Sequence, residues 1–227
     1  MFSSENSLLL VETFAFSNYH TTVRLWNLES GEQTNILSFD SFTKSISFNY
    51  KDHLLATSIK TEDGNSQIKI WDVEKKEQSC NISQGMYAKF SQKNNVLAVS
   101  NGQDSVSLWN IANCQKIKMF TVDIGLNSFA INPDGSLLVF GTNTGDLNII
   151  STITGEAVKK LDGLLHYTNV IEFSPDGRFL MTLSYDPNLD GQTLIIWQVA
   201  DQSLEPIIIS PEMLNPKTPL DSTQIKP

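Results

Sequence analysis

The chain has 227 residues, 40% hydrophobic and 18% charged, a balance that excludes wholesale disorder and suffices for a sizeable core. Sixteen basic against 25 acidic residues leave a net charge of −9, and Arg24 and Arg178 are the only arginines, so neither nucleic acid nor an acidic membrane surface is a natural partner. No apolar run approaches the roughly 18 residues of a spanning helix, and residues 1–11 lack the basic start and apolar length of a secretory signal, so a cytoplasmic location is expected.

The elements recur in phase along the chain. Residues 2–11 end in an apolar run and are followed by Thr22-Val-Arg-Leu-Trp26-Asn27. Residues 48–57 repeat the first phrase and Ile68-Lys-Ile-Trp71-Asp72 the second. Residues 90–99 and Val106-Ser-Leu-Trp109-Asn110 form a third copy. Residues 131–140 open a fourth, in which Leu147-Asn-Ile-Ile150 puts Ile150 in the Trp place. Residues 173–182 and Leu194-Ile-Ile-Trp197-Gln198 form a fifth. The intervals between Trp places are 45, 38, 41 and 47 residues.

Within each copy the apolar residues alternate, as in Val170-Ile-Glu-Phe173, which is the period of a half-buried strand. Pro133-Asp134-Gly135 and Pro175-Asp176-Gly177 are turn sequences: Pro presets φ, Asp bonds its own backbone and Gly takes the left-handed position. No stretch carries helical periodicity with good caps. Each copy therefore predicts four short strands, in the second near 45–48, 54–58, 67–71 and 79–82. Short strands at a period near 43 residues, with a Trp-Asp phrase, select a propeller.

These residues resemble the WD-repeat β-propeller family over positions 2 to about 210. The resemblance implies an all-β fold of four-stranded antiparallel blades, about five of them. Predicted blades are about 1–37, 38–82, 83–120, 121–161 and 162–210, within one propeller over 1–210, followed by a Pro-rich extended tail at 211–227. The pattern is degenerate. Only Trp71-Asp72 is a literal Trp-Asp pair, and Phe39, Asn81, Val122 and Leu164 stand where the family usually has His. The family's buried His–Asp–Ser/Thr–Trp network is thus incomplete, with a partial version expected at Ser100, Asp104 and Trp109.

The first copy aligns from the end of its first strand, so three strands are expected there and four in each other copy, 19 in all. Rings of this family most often have seven blades. Three explanations stay open: an incomplete part of a larger seven-bladed ring, a ring completed by extra blades or self-association, or a five-bladed ring or open arc.

Reactive constellations are absent from the sequence. There is no Gly-x-Ser-x-Gly elbow, zinc-helix motif, Cys-x-x-Cys or glycine-rich phosphate loop. His20, His53 and His166 sit at unrelated positions of three units, so no metal and no cofactor is expected. Cys80 and Cys114, 34 residues apart, read as two reduced cysteines, because a domain of this size needs no staple. The recurring tryptophans read as packing between sheets.

The family resemblance implies a binding face formed by the loops joining second to third strands and blade to blade. Those loops carry Phe14, Tyr19, Asp40, Phe42, Tyr87, Asp104, Tyr167, Tyr185 and Asp190. Aromatic anchors beside acids suit a protein partner with a basic, apolar-anchored motif. The expected function is a non-enzymatic WD-repeat scaffold mediating protein–protein interactions within a larger assembly. The alternatives are a propeller hydrolase with channel carboxylates and a membrane-recruitment propeller; the paired arginines of the latter do not occur.

Overall fold

The computed structural model describes residues 8–15, 20–39, 43–122, 125–161, 167–186, 191–200 and 203–207. The expected tail at 211–227 lies outside them. The described residues form five antiparallel sheets, each built from strands consecutive in sequence. The first has three strands, β1 (Leu8–Ala15), β2 (His20–Asn27) and β3 (Gln33–Phe39). The second comprises β4 (Thr43–Asn49), β5 (Leu54–Lys60), β6 (Ser66–Asp72) and β7 (Glu77–Ser83). The third comprises β8 (Tyr87–Phe90), β9 (Val96–Ser100), β10 (Ser105–Asn110) and β11 (Gln115–Thr121). The fourth runs through β12 (Leu126–Ile131), β13 (Leu137–Thr142), β14 (Leu147–Ser151) and β15 (Ala157–Leu161). The fifth runs through β16 (Thr168–Phe173), β17 (Phe179–Asp186), β18 (Gly191–Ala200) and β19 (Ser203–Ile207). No helix occurs among the described residues, and the sheets are the blades of a β-propeller.

Alternation along each strand gives every blade two apolar faces, and successive blades seal against each other. Ile68 and Ile70 of the second blade meet Phe90, Leu97 and Val99 of the third. Val106, Leu108 and Phe120 meet Phe129, Leu138 and Phe140 at the next seam. Val139, Leu147 and Ile149 then meet Ile171, Leu180 and Trp197. Leu10, Val23 and Leu25 meet Phe48, Leu55 and Val73 at the first seam. Each fully buried Ile or Leu here contributes about 1.5–3 kcal/mol. The tryptophans keep one place in four of the five blades, with Ile150 in the fourth; Trp71, Trp109 and Trp197 pack against the preceding blade; Trp197 is buried, and Trp26, Trp71 and Trp109 are half-buried.

That place is set by a recurring irregularity. The third-to-fourth-strand register shifts at Leu25/Trp26, Ile70/Trp71, Leu108/Trp109 and Ile149/Ile150. The turn beyond holds a left-handed residue at φ +70° (Gly31), +57° (Lys76), +56° (Cys114) and +82° (Gly155). Glycine takes this conformation without strain, whereas Lys76 and Cys114 bear the cost of a Cβ there.

The innermost strands bond to their neighbours through side chains. Ser45 Oγ accepts from Ala88 N at 3.2 Å and Ser47 Oγ from Phe90 N at 3.0 Å, which satisfies donors on the free edge of β8. Glu12 of β1 accepts from the Thr43 hydroxyl of β4.

Two expectations need correcting. Cys80 and Cys114 are not separate thiols but a disulfide across the second seam, Cα–Cα 5.9 Å. Blade packing lays β7 beside the β10–β11 turn, which brings the two within bridging range despite a sequence separation of 34. Ser100, Asp104 and Trp109 do not form a partial network. Ser100 Oγ accepts from Gly102 N, Asp104 accepts from the Asn101 amide, and Trp109 Nε1 donates to Ser107 Oγ at 2.8 Å. Val99 occupies the place that Thr57 and Thr182 hold in the second and fifth blades, so Trp109 finds a hydroxyl on its own strand.

Candidate interaction face

Every innermost strand starts, and every second strand ends, at the same end of its blade, because consecutive strands are antiparallel neighbours. One face of the propeller is therefore formed by interblade connections and second-to-third-strand loops. Hydrogen bonds tie the two together. Met86 N donates to Ser100 O at 2.7 Å, Val122 N to Asp104 O at 2.6 Å, Leu126 N to Gln103 O at 2.9 Å and Asn143 N to Gly125 O at 3.1 Å. Tyr185 N donates to Tyr167 O at 3.1 Å.

The loop tips are shaped by short polar side chains. Asn101 Oδ1 accepts from the backbone of Gln103, Asp104 and Ser105 at 3.0–3.1 Å, and its amide donates to Asp104 Oδ1 at 2.8 Å. This closes a rigid turn that holds the Asp104 carboxylate at the surface. In the second blade, hydrogen bonds from Thr61 and then Asn65 hold the Asp63 carboxyl below its usual range. In the fourth, Lys160 Nζ sits 3.2 Å from Asp146 Oδ2.

On this face stand four of the nine residues singled out from the sequence. Tyr87 opens β8 and is 40% exposed; Tyr167 immediately precedes β16 and is 50% exposed. Asp104 is exposed in the β9–β10 loop, and Tyr185 is half-buried near the end of β17. Tyr185 pairs with Gln192 across the hairpin and with the backbone of Tyr167, so the two tyrosines of the fifth blade are linked. Phe14 lies on β1 opposite Thr21, with its side chain outside the described residues. Tyr19, Asp40, Phe42 and Asp190 also lie outside them. The sequence reading overlooked Lys44, whose Nζ lies 3.8 Å from Met86 Sδ beside Tyr87. Its alignment three residues ahead of Ser47 in an innermost strand was the available signal.

Along the axis, Ser47, Lys89, Ala130 and Glu172 occupy equivalent positions one residue before the end-of-strand apolar residue. Lys89 and Glu172 form an ion pair linking the third and fifth blades. At this level the described residues offer one carboxylate, and a lysine occupies it, whereas glycoside cleavage needs two converging acids. Among the described residues no three of His, Cys, Asp and Glu gather in a metal-holding group. His53 pairs instead with Glu74, Nδ1–Oε1 2.6 Å. On the opposite face the first-to-second-strand turns are laced together: Gln92 Nε2 donates to Phe48 O at 3.1 Å and Lys93 N to Pro133 O at 2.7 Å.

Five antiparallel blades, tryptophans at one repeated place and a loop-lined face define a WD-repeat β-propeller. Residues 86–207, more than half of the chain, match the model of the family "Eukaryotic translation initiation factor eIF2A", and the chain belongs to that family. It is 25% identical over 197 residues to the protein LST8 homolog of Drosophila melanogaster, covering 80% of this chain and 60% of that one. It is 26% identical over 200 residues to the target of rapamycin complex subunit wat1 of Schizosaccharomyces pombe, covering 80% and 59%. The chain thus spans about three fifths of the length of the curated relatives it matches. The β-propeller domain of Myceliophteria thermophila Cps50 (Swd1) shares the fold, with a TM-score of 0.66 at 16% identity over 86% of this chain and 68% of that one.

Proposed function

We propose that this chain is a non-enzymatic interaction propeller that holds a protein partner within a larger assembly, in the cytoplasm. The observation that carries the reading is the pair of exposed tyrosines, Tyr87 and Tyr167, on the face that also presents Asp104. Large aromatic side chains left in solvent on a soluble face are the usual anchors of a protein interface. The partner motif that fits is a short basic segment with one apolar anchor. Phe14, Tyr19, Asp40, Phe42, Tyr185 and Asp190 are assigned to the same surface. The relative named as a target of rapamycin complex subunit supports a role within a multiprotein assembly. The lysine-paired Glu172 supports a channel without hydrolytic chemistry.

The test is a peptide array of Lys/Arg-rich sequences carrying a single Leu or Phe, probed with the full chain and with a Tyr87→Ala/Tyr167→Ala variant. The variant is expected to bind the selected peptides at least tenfold more weakly while its thermal midpoint stays unchanged. Unaltered binding by the variant would refute the reading.

A further inference from the structure

Equivalent positions in successive blades serve as internal controls for the bond between Cys80 and Cys114. Cys80 lies opposite Ile70, and the residues in the same register place are Asn35 opposite Leu25, Lys118 opposite Leu108 and Lys159 opposite Ile149. Cys114 is the left-handed residue of the β10–β11 turn, where the blades on either side have Lys76 and Gly155. The two places also meet at the seam between the third and fourth blades, where a Cβ on Gly155 would run into the Lys118 side chain. The repeat itself thus sets the outer strand of one blade against the last turn of the next. The second seam alone puts a thiol on both sides, for Cys80 and Cys114 are the only cysteines of the chain.

The two sulfurs differ in access. Cys80 is 4% exposed and belongs to the cluster that seals the second seam, whereas Cys114 is half-buried at the edge of that cluster. Ala112, Asn113 and Gln115 beside it are exposed. A small thiol or disulfide therefore reaches Cys114 Sγ from solvent and does not reach Cys80 Sγ. Neither side of the seam depends on the bond for its place. β7 is paired along β6 from Ser83 opposite Gln67 to Glu77 opposite Asp72, and the β10–β11 ladder closes the turn that carries Cys114. Ile82, Phe90, Leu97 and Val99 stay packed between the blades whether the sulfurs are joined or not. Ser79 O lies 3.6 Å from Cys114 Sγ, an acceptor for the thiol hydrogen once the bond opens. Both redox states are thus compatible with the same blades.

We propose that Cys114 is a site of thiol–disulfide exchange with small disulfides of the glutathione class, with Cys80 as the resolving thiol, so that the second seam carries a reversible covalent clamp. In the closing direction the Cys114 thiol gives its proton to solvent, and the thiolate attacks one sulfur of oxidised glutathione. A mixed disulfide forms and one glutathione thiolate leaves. Cys80 then gives up its proton and attacks Cys114 Sγ, and the second glutathione leaves. Two protein thiols are oxidised, one small disulfide is reduced, and the two released thiolates take up the two protons. Opening runs the same steps backwards, with reduced glutathione attacking Cys114 Sγ and Cys80 as the leaving group. Third-to-fourth-strand turns lie on the face opposite Tyr87 and Tyr167, so the clamp is independent of the interaction-face reading.

The test uses the full chain, reduced with dithiothreitol, freed of it, exposed to oxidised glutathione and followed by mass spectrometry. The unaltered chain is expected to lose two hydrogens and keep no glutathione. Cys80→Ser should keep one glutathione on Cys114, and Cys114→Ser should react about tenfold more slowly than Cys80→Ser. Equal rates in the two variants, or a reduced chain that never closes, would overturn the proposal. Should either variant fail to fold, N-ethylmaleimide labelling of the reduced unaltered chain gives the same ordering: Cys114 is expected first, and Cys80 first would count against it.

Reversibility is read by adding excess reduced glutathione to the closed chain under native conditions, which should reopen the bond. A bond that opens only in denaturant is a permanent staple and refutes the clamp. Hydrogen exchange of the two forms reads its effect. Closing should slow exchange several-fold in β7 and the β10–β11 turn and leave the β14–β15 turn at the next seam unchanged. Identical exchange at the second seam in both forms would show that the bond restrains nothing there, and would sink the idea.

Discussion

Trp71 Nε1 donates to Thr57 Oγ1 at 3.1 Å, across the pair of strands at the centre of the second blade. Trp197 and Thr182 repeat the bond at 3.0 Å three blades later, where both residues are buried. The hydroxyl relieves an indole N–H that packing removes from water, and a valine of the same shape would not. Thr182→Val and Thr57→Val should each cost about 1–2 kcal/mol, the larger loss at the more buried Thr182 pair. Urea midpoints of the two variants measure it, and equal, negligible losses would contradict the assignment.

Tyr50 has the opposite problem. Its ring packs edge-on against Phe48 at 4.8 Å in the first seam, while its buried hydroxyl has no hydrogen-bond partner. Burial pushes the phenol well above its ordinary range, so it stays neutral. Tyr50→Phe keeps the ring contact and removes the orphan. It should leave stability unchanged or raise it by about 1 kcal/mol, whereas Tyr50→Ala should lower it by roughly 3. Thermal denaturation of the two variants distinguishes these outcomes.

Acid should weaken the turn face. Hydrogen bonds from Ser174 and then Arg178 hold the Asp176 carboxyl far below its usual range. At Asp134 burial pushes upward, but bonds from Ser136 and Asn132 and the charge of Lys93 outweigh it and leave the group lowered. A depressed folded-state value means that the stabilisation is complete above the unfolded value near 4 and fades as pH falls through the folded one. The thermal midpoint should hold from pH 7 to about 5 and drop below about 4. Asp176→Asn and Asp134→Asn should each flatten the drop in a pH series of melts.

The Lys89–Glu172 pair is about one third to one half exposed, so solvent screens it. It should be worth no more than about 1 kcal/mol. A double-mutant cycle with Lys89→Met and Glu172→Gln should return a small coupling that vanishes in 1 M salt, where the screening length is about 3 Å. A coupling that persists at high salt would mean that the channel is drier than the side-chain exposure indicates.

The blade plan was legible in the sequence because it is local. Alternating apolar residues, the Pro-Asp-Gly turns and the repeated Trp phrase each act over a few neighbours, and their phase alone located 19 strands and the short first sheet. Even Ile150, with no indole, takes its place through that phase, and the register shift beside it matches those at Trp26, Trp71 and Trp109. The same local logic put Asp104 and Tyr167 between strands, as the structure has them, whereas Tyr87 and Tyr185, read as loop residues, lie within β8 and β17.

Relations between blades were decided only when the sheets packed. Cys80 meets Cys114, Lys89 meets Glu172 and Trp109 turns to Ser107 because of which side chains face each other across a seam, the axis or a strand. Sequence periodicity records the face on which a residue lies but not the distance to the next sheet. Val139, packed in the seam between the fourth and fifth blades, and Met181, identical in phase, accordingly differ in burial, 0% against 36% exposed.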